Sequence, residues 1–254
     1  MSKNVFITFA NTESCFDGAS LVNDVEKFGV FDRLKAYTEN DFSEEYRKIV
    51  GDRFKILNCG YGYWSWKSYI IRETLKTMED GDTLLYCDAG CQVVNNNVGP
   101  LKEWIDICNG TDKGILCLSP LCYLEKNWTK SDLLYYVSDK YGISVGELID
   151  DDRFQHLASA LMFRKCKDSV RFVDEWFDIC NLHYDLITDK PSQLPNFDDF
   201  IEHRRDQSAY SLLFKVFKGT NIPNEKSVDY PESTIRAMHK GRDETYNKYG
   251  LNNS

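Results

Sequence analysis

Short apolar runs alternate along the chain with stretches in which apolar residues recur every three or four positions, a pattern that predicts strands separated by helices. Residues 5–9 are mainly apolar and run into the polar Asn11-Thr12-Glu13-Ser14, as a buried first strand opening into a loop would. Residues 21–28 can form one helical face, and residues 33–37 read as a second strand. Residues 41–50 suit a charged amphipathic helix with Phe42, Tyr46, Ile49 and Val50 on one side. A turn at Asn58-Cys59-Gly60 leads through the aromatic residues Tyr61, Tyr63, Trp64 and Trp66 into a helix over about 67–78, closed by Glu79-Asp80-Gly81-Asp82. Residues 83–87 are then a central strand whose end delivers Asp88-Ala89-Gly90.

Further on, residues 100–108 suit a helix with proline in its first turn, and 114–118 a buried strand. Ser131 is placed to cap a helix through Leu133, Leu134 and Val137, and residues 157–163 are a strand candidate. Residues 169–180 carry Val170, Val173, Trp176, Phe177 and Cys180 along one stripe. Residues 188–200, rich in Pro and Asp, form the one long loop, and 206–217 the last strong helix. This order predicts an α/β fold with a mostly parallel sheet, whose ligand crevice lies at the carboxyl ends of the strands. Asp88 and Asn11 fall at such ends.

Composition narrows the function classes. The 254 residues, 42% hydrophobic and 14% aromatic with charges spread throughout, have the profile of one folded domain. The net charge of −9 works against binding a phosphate backbone, so no nucleic-acid partner is expected. An anionic small molecule is compatible with it, because a few local cations can reverse the field at one site. No run is long enough for a transmembrane segment, the N-terminus lacks a signal-peptide pattern, and the nine cysteines show no C-x-x-C spacing. Reduced thiols and a cytoplasmic location are the expectation. Cys87 and Cys91 lack a second Cys/His pair that would complete a zinc site.

An apolar strand ending in one carboxylate and a glycine fixes Asp88 by the sheet while the backbone beside it stays accessible. That arrangement suits an oxygen ligand for a hard divalent cation, and it equally suits a turn residue or the cap of the next helix. Three segments taken together tip the balance. Gly60-Tyr61-Gly62-Tyr63-Trp64-Ser65-Trp66-Lys67-Ser68-Tyr69-Ile70, Gly81-Asp82-Thr83-Leu84-Leu85-Tyr86-Cys87-Asp88-Ala89-Gly90-Cys91 and His203-Arg204-Arg205-Asp206-Gln207-Ser208 resemble a family of GT-A-fold nucleotide-diphospho-sugar transferases. Members of that family occur in bacterial surface-polysaccharide clusters and in large DNA viruses, the latter implying a host cytoplasm. The resemblance runs from Val5 to about Phe217.

The resemblance implies a Rossmann-like, mostly parallel central sheet flanked by helices, forming one domain over 1–254. Its donor-binding part covers about 1–118 and its acceptor-side part about 119–254. Thr8, Phe9, Ala10 and Asn11 line the nucleotide pocket, Tyr63 or Trp64 stacks on base or ribose, and Lys67, with Arg72 as a weaker candidate, meets a phosphate. Trp64 and Trp66 as core aromatics, and Lys67 as a solvated helix start, are the plainer alternatives.

The sequence departs from the family's D-x-D signature, since Gly90 stands where a second acid is expected. The resemblance still implies Mn²⁺ or Mg²⁺ at Asp88, with Ala89 and Gly90 beside the donor and His239 as a late ligand. Lys240 and Arg242 would flank the leaving diphosphate. Asp206 orients the donor sugar or serves as base on the acceptor hydroxyl, with Gln207, His203 and Arg205 facing acceptor or phosphate. A dipole-stabilised carboxylate at a helix start is the alternative for Asp206. Trp128 offers a sugar-stacking face or pins a loop to the core, and Ser159 lies on a small-residue strand that a sugar ring can approach.

The implied reaction transfers a sugar, with UDP the prior for the nucleotide, to a glycan or other hydroxyl acceptor. A non-catalytic sugar-nucleotide-binding scaffold is the competing reading. A metal-dependent phosphohydrolase ranks last, because two-metal chemistry needs more ligands than one Asp.

Overall fold

The computed structural model describes residues 2–13, 18–54, 59–119, 123–150, 154–228 and 230–237. The strands, in chain order, are β1 (Asn4–Phe9), β2 (Arg33–Tyr37), β3 (Thr83–Cys87), β4 (Cys91–Val93), β5 (Ile115–Cys117), β6 (Ala160–Arg164), β7 (Thr220–Asn221) and β8 (Ile235–Ala237). Six of them make one sheet in the order β2-β1-β3-β6-β5-β7, and β4 pairs with β8 in a small second sheet. Pairings β1–β2, β1–β3 and β5–β7 are parallel, whereas β6 runs antiparallel to both neighbours. The protein is therefore α/β, with a mostly parallel central sheet flanked by helices. Both halves of the chain build that sheet, since β6 and β7 come from beyond residue 118.

Strand alternation sends successive side chains to opposite faces. Val5, Ile7 and Phe9 of β1, Leu84 and Tyr86 of β3, and Leu161 and Phe163 of β6 enter one core, shared with helices Trp66–Lys76, Lys167–Phe177 and Arg205–Phe217. Phe6, Leu85, Cys87, Ala160 and Met162 enter the other, covered by helices Gly18–Glu26 and Gly99–Gly110. Burial on both faces explains why these strands read as continuous apolar runs rather than alternating ones.

The boundaries follow local chemistry. Helix Glu44–Val50 begins later than the pattern predicts because Ser43 takes the N-cap, its Oγ accepting the Tyr46 N–H at 3.1 Å. Ser131 does not cap its helix. It is the first helical residue of Ser131–Tyr141, where its Oγ donates to the Pro195 carbonyl at 2.8 Å and so ties the helix to the long loop. Helix Lys167–Phe177 gives way to a π-turn over Asp178–Leu182, and β6 starts at Ala160 because residues 155–159 are irregular. That irregular stretch shapes the site described next.

Candidate functional site

β3 delivers Asp88 as the sequence predicts. The backbone turns immediately: Asp88 N–H donates to the Ser159 carbonyl at 2.8 Å, and Cys91 N–H to the Asp88 carbonyl at 2.9 Å. The Asp88 side chain stays 32% exposed. Tyr86, two residues earlier and so on the same face of the strand, donates its hydroxyl to Asp88 Oδ1. Ala89 and Gly90 are half-buried in the turn.

Lys67 lies in the first turn of helix Trp66–Lys76 and is only 3% exposed. Its Nζ sits 3.1 Å from Asp88 Oδ1 and 3.4 Å from Asp206 Oδ2, and it donates to the Ala158 carbonyl at 2.8 Å. The ammonium group therefore hydrogen-bonds one carbonyl and has two carboxylate oxygens within ion-pair distance. Burial works against the charge on Lys67, yet Asp206 and Asp88 hold its pKa above the ordinary value. The structure thus corrects both expectations for this residue: Lys67 is neither solvated nor open to a phosphate, because it is buried between two carboxylates.

Asp206 stands in the first turn of helix Arg205–Phe217 and is 3% exposed. Burial pushes its carboxyl up to about 6; the Lys67 charge opposes that rise and the Asp88 charge adds to it. Beside it, Gln207 accepts the Ala158 N–H at 3.3 Å through Oε1 and donates to Gln155 Oε1 at 2.7 Å. The peptide groups of Ala158 and Ser159 are thereby the joint of the site, binding Lys67, Gln207 and Asp88 at once. The Ser159 hydroxyl is 3.3 Å from that of Ser119. Sequence reasoning missed Tyr86 and the Ala158 carbonyl. The period of two along β3 was a usable signal for the first, while no side chain advertises the second.

Residues 60–64 approach this cluster through strained backbone. Tyr61, Tyr63 and Trp64 hold φ of 52°, 56° and 57°, with Gly60 and Gly62 also positive. A Cβ on Gly60 would lie 2.1 Å from the Trp64 ring, so only glycine lets the indole fold back over the loop. Trp66 stacks on Phe9 at 3.9 Å and Tyr61 on Phe54 at 4.9 Å, Tyr63 lies 6.0 Å from the Tyr184 ring, and Trp64 faces the Arg205 guanidinium at 5.9 Å. Two hollows flank this loop, one of about 400 Å³ lined in part by Phe54 and Tyr61, the other of about 620 Å³ lined in part by Arg53, His183 and Tyr184. Neither is lined by Lys67, Asp88 or Asp206.

Several expected site residues are held elsewhere. Thr8 and Phe9 have buried side chains, and only the end of the run, Ala10 and Asn11, reaches partial exposure; Ala10 N–H donates to the Tyr37 carbonyl. Arg72 pairs with Asp174 at 2.6 Å and covers the Phe177 ring, joining two helices instead of reaching the cluster. Trp128 is 1% exposed, packed against Tyr123 with the Arg204 guanidinium 4.2 Å over its ring, so no face is open for a sugar. His203 is buried, its Nδ1 accepting the Lys130 N–H at 3.3 Å, and burial holds its pKa well below the usual value. Arg205 makes a two-point pair with Asp189 at 2.9 and 3.2 Å. His239, Lys240 and Arg242 lie outside the described residues.

Of the two residues expected to hold Mn²⁺ or Mg²⁺, Asp88 is described and His239 lies outside the described residues. Such ions take several oxygen ligands. Among the described residues no three of His, Cys, Asp and Glu gather as ligands, and Asp88 Oδ1 already faces the Tyr86 hydroxyl and an ammonium ion.

No protein-family model and no curated protein matches the sequence. Among solved structures, the chain is similar to the galactosyltransferase LgtC in complex with donor and acceptor sugar analogs, with 15% identity, 84% of this chain and 70% of that one covered, and a TM-score of 0.38. Mouse xyloside xylosyltransferase 1 in its apo form is similar over 86% and 71% of the two chains, at 9% identity and a TM-score of 0.42. An active-site mutant of LgtC gives 14% identity, 85% and 71% coverage and a TM-score of 0.40.

Proposed function

We propose that the chain is a glycosyltransferase of the GT-A kind that moves a sugar from a nucleotide-diphosphate donor, UDP-linked by preference, to a hydroxyl of a glycan or similar acceptor. One observation supports this above all. The three segments that resemble that family, remote from one another in sequence, converge on Lys67, with Asp88 at 3.1 Å and Asp206 at 3.4 Å from a single nitrogen.

In this reading the half-exposed Asp88 accepts hydrogen bonds from donor hydroxyls, at the strand end where α/β sheets place their ligands. Asp206, its proton affinity raised by burial and restrained by Lys67, takes the proton of the attacking acceptor hydroxyl or fixes the donor sugar against it. Gln207 and the Ala158–Ser159 peptide hold both carboxylates in register. Among the described residues no helix is long and apolar enough to cross a membrane.

The near-complete burial of Asp206 favours one competing reading, a scaffold that binds a sugar nucleotide without turning it over. Incubating the full chain with a panel of nucleotide sugars and hydroxyl acceptors, and following nucleoside-diphosphate release, separates the two. Release from one donor that drops in Asp206→Asn and Asp88→Asn, with folding intact, supports the transferase. Binding of a donor without release under every acceptor condition would leave the scaffold standing.

A further inference from the structure

Gly90 removes the second acid from the strand end, but the structure supplies a second carboxylate from another direction, Asp206 on helix Arg205–Phe217. What stands between Asp88 and Asp206 is an ammonium group. Lys67 reaches that position because residues 60–64 deliver the helix start, and so the lysine stem, into the interior. At 3% exposure, its nitrogen donates to the Ala158 carbonyl and lies within ion-pair distance of Asp88 Oδ1 and Asp206 Oδ2. A divalent ion coordinated by either carboxylate would stand next to that fixed positive charge without a third ligand from the described residues.

We infer that Lys67 is a built-in cation occupying the place where a divalent ion would bridge Asp88 and Asp206, so that this pair takes up no Mn²⁺ or Mg²⁺ and the site operates without one. The ion-binding half of this statement stands on geometry alone; the operating half rests on the glycosyltransferase reading.

Mn²⁺ itself is the probe, its free concentration followed by electron paramagnetic resonance during titration of the full chain, with and without UDP. Wild type and Asp88→Asn should give superimposable titrations. Lys67→Met, which keeps the length of the stem and removes the charge, should gain a Mn²⁺ site about tenfold or more tighter than any in wild type. Adding Asp88→Asn to it should abolish that gain. With any donor that is turned over, release should proceed equally in chelator and in Mn²⁺.

A Mn²⁺ equivalent bound by wild type and lost in Asp88→Asn would overturn the inference, as would turnover that stops in chelator and returns with Mn²⁺. Should Lys67→Met fail to fold, the comparison of wild type with Asp88→Asn decides by itself. If no donor is turned over, the glycosyltransferase reading fails while the Mn²⁺ titrations still judge the built-in cation.

Discussion

Arg205 places its guanidinium 5.9 Å from the centre of the Trp64 ring, and both residues hold left-handed backbone, with φ of 56° and 57°. Trp64 lies three residues before Lys67 and Arg205 one before Asp206, so the strain sits at the point where each chain segment enters the cluster. A left-handed conformation costs an L-residue about 1–2 kcal/mol, and backbone strain of this kind collects at functional sites.

Arg205→Gly should therefore change stability by less than about 1 kcal/mol, because relief of the backbone offsets the loss of a partly exposed ion pair to Asp189. Arg205→Ala keeps the strain and loses the pair, and should be the less stable of the two in urea unfolding. In the glycosyltransferase reading both should slow nucleoside-diphosphate release, since neither holds Trp64. Equal stability of the two variants would show that the left-handed backbone is not retained in solution.

Removing the charge of Lys67 strands two carboxylates, one of them buried. Loss of one partner of a buried ion pair costs about 3–5 kcal/mol, and Lys67→Met should fall in that range at pH 7. Adding Asp206→Asn removes the stranded charge, so the double variant should be markedly more stable than the sum of the single effects. A double-mutant cycle by denaturant unfolding measures this coupling. Simple additivity would mean that the 3.4 Å contact carries no energy.

Lys67, Asp88 and Asp206 stood out in the sequence, whereas Tyr86, the Ala158 carbonyl and the arrangement of the cluster did not. Asp88 follows an apolar strand and Asp206 opens a strongly periodic helix, but what singled out both, together with Lys67, was the resemblance of their three segments to one family. That Lys67 lies between them depends on the pairing of Cys87 with Ala160, which sets the Ala158 carbonyl beside its nitrogen. No local pattern encodes that register. The antiparallel direction of β6 was equally hidden, because a strand buried on both faces is an apolar run whichever way it points. β7 is two exposed residues and β8 three mostly buried ones, both too short to leave a period. Helices such as Lys167–Phe177 were legible because one stripe of Val170, Val173, Trp176 and Phe177 recurs every three or four positions.

Trp128 separates a packing role from a binding role. With its ring enclosed between Tyr123 and Arg204, Trp128→Ala should destabilise the protein by about 3–5 kcal/mol. Any sugar nucleotide bound at the cluster should retain its Kd at temperatures where the variant is folded, as calorimetric titration would reveal. A variant of native stability that had lost acceptor affinity would restore Trp128 as a sugar-stacking face.

Mild acid should destabilise the fold, and the sign follows from three buried groups. Burial, with the Lys215 charge adding to it, pulls His156 down to about 3, and His203 is also well below the usual 6.5. Below about pH 6.5 the unfolded chain protonates both imidazoles more readily than the native state does, so stability falls as pH falls, by up to about 1.4 kcal/mol per pH unit for His156 and in the same direction for His203. Asp206 acts in the opposite sense. Its native carboxyl, raised to about 6, takes a proton before the unfolded one does, which offsets about one histidine as pH drops toward the ordinary aspartate value. With Asp206 offsetting about one histidine, the net expectation between pH 6 and pH 5 is a loss of stability set by the second imidazole. His156→Gln should remove most of that slope, and Asp206→Asn should steepen it. Urea unfolding at pH 7, 6 and 5 for the three proteins tests both signs at once, and a His156→Gln slope equal to that of wild type would mean that the imidazole is not buried neutral beside Phe214.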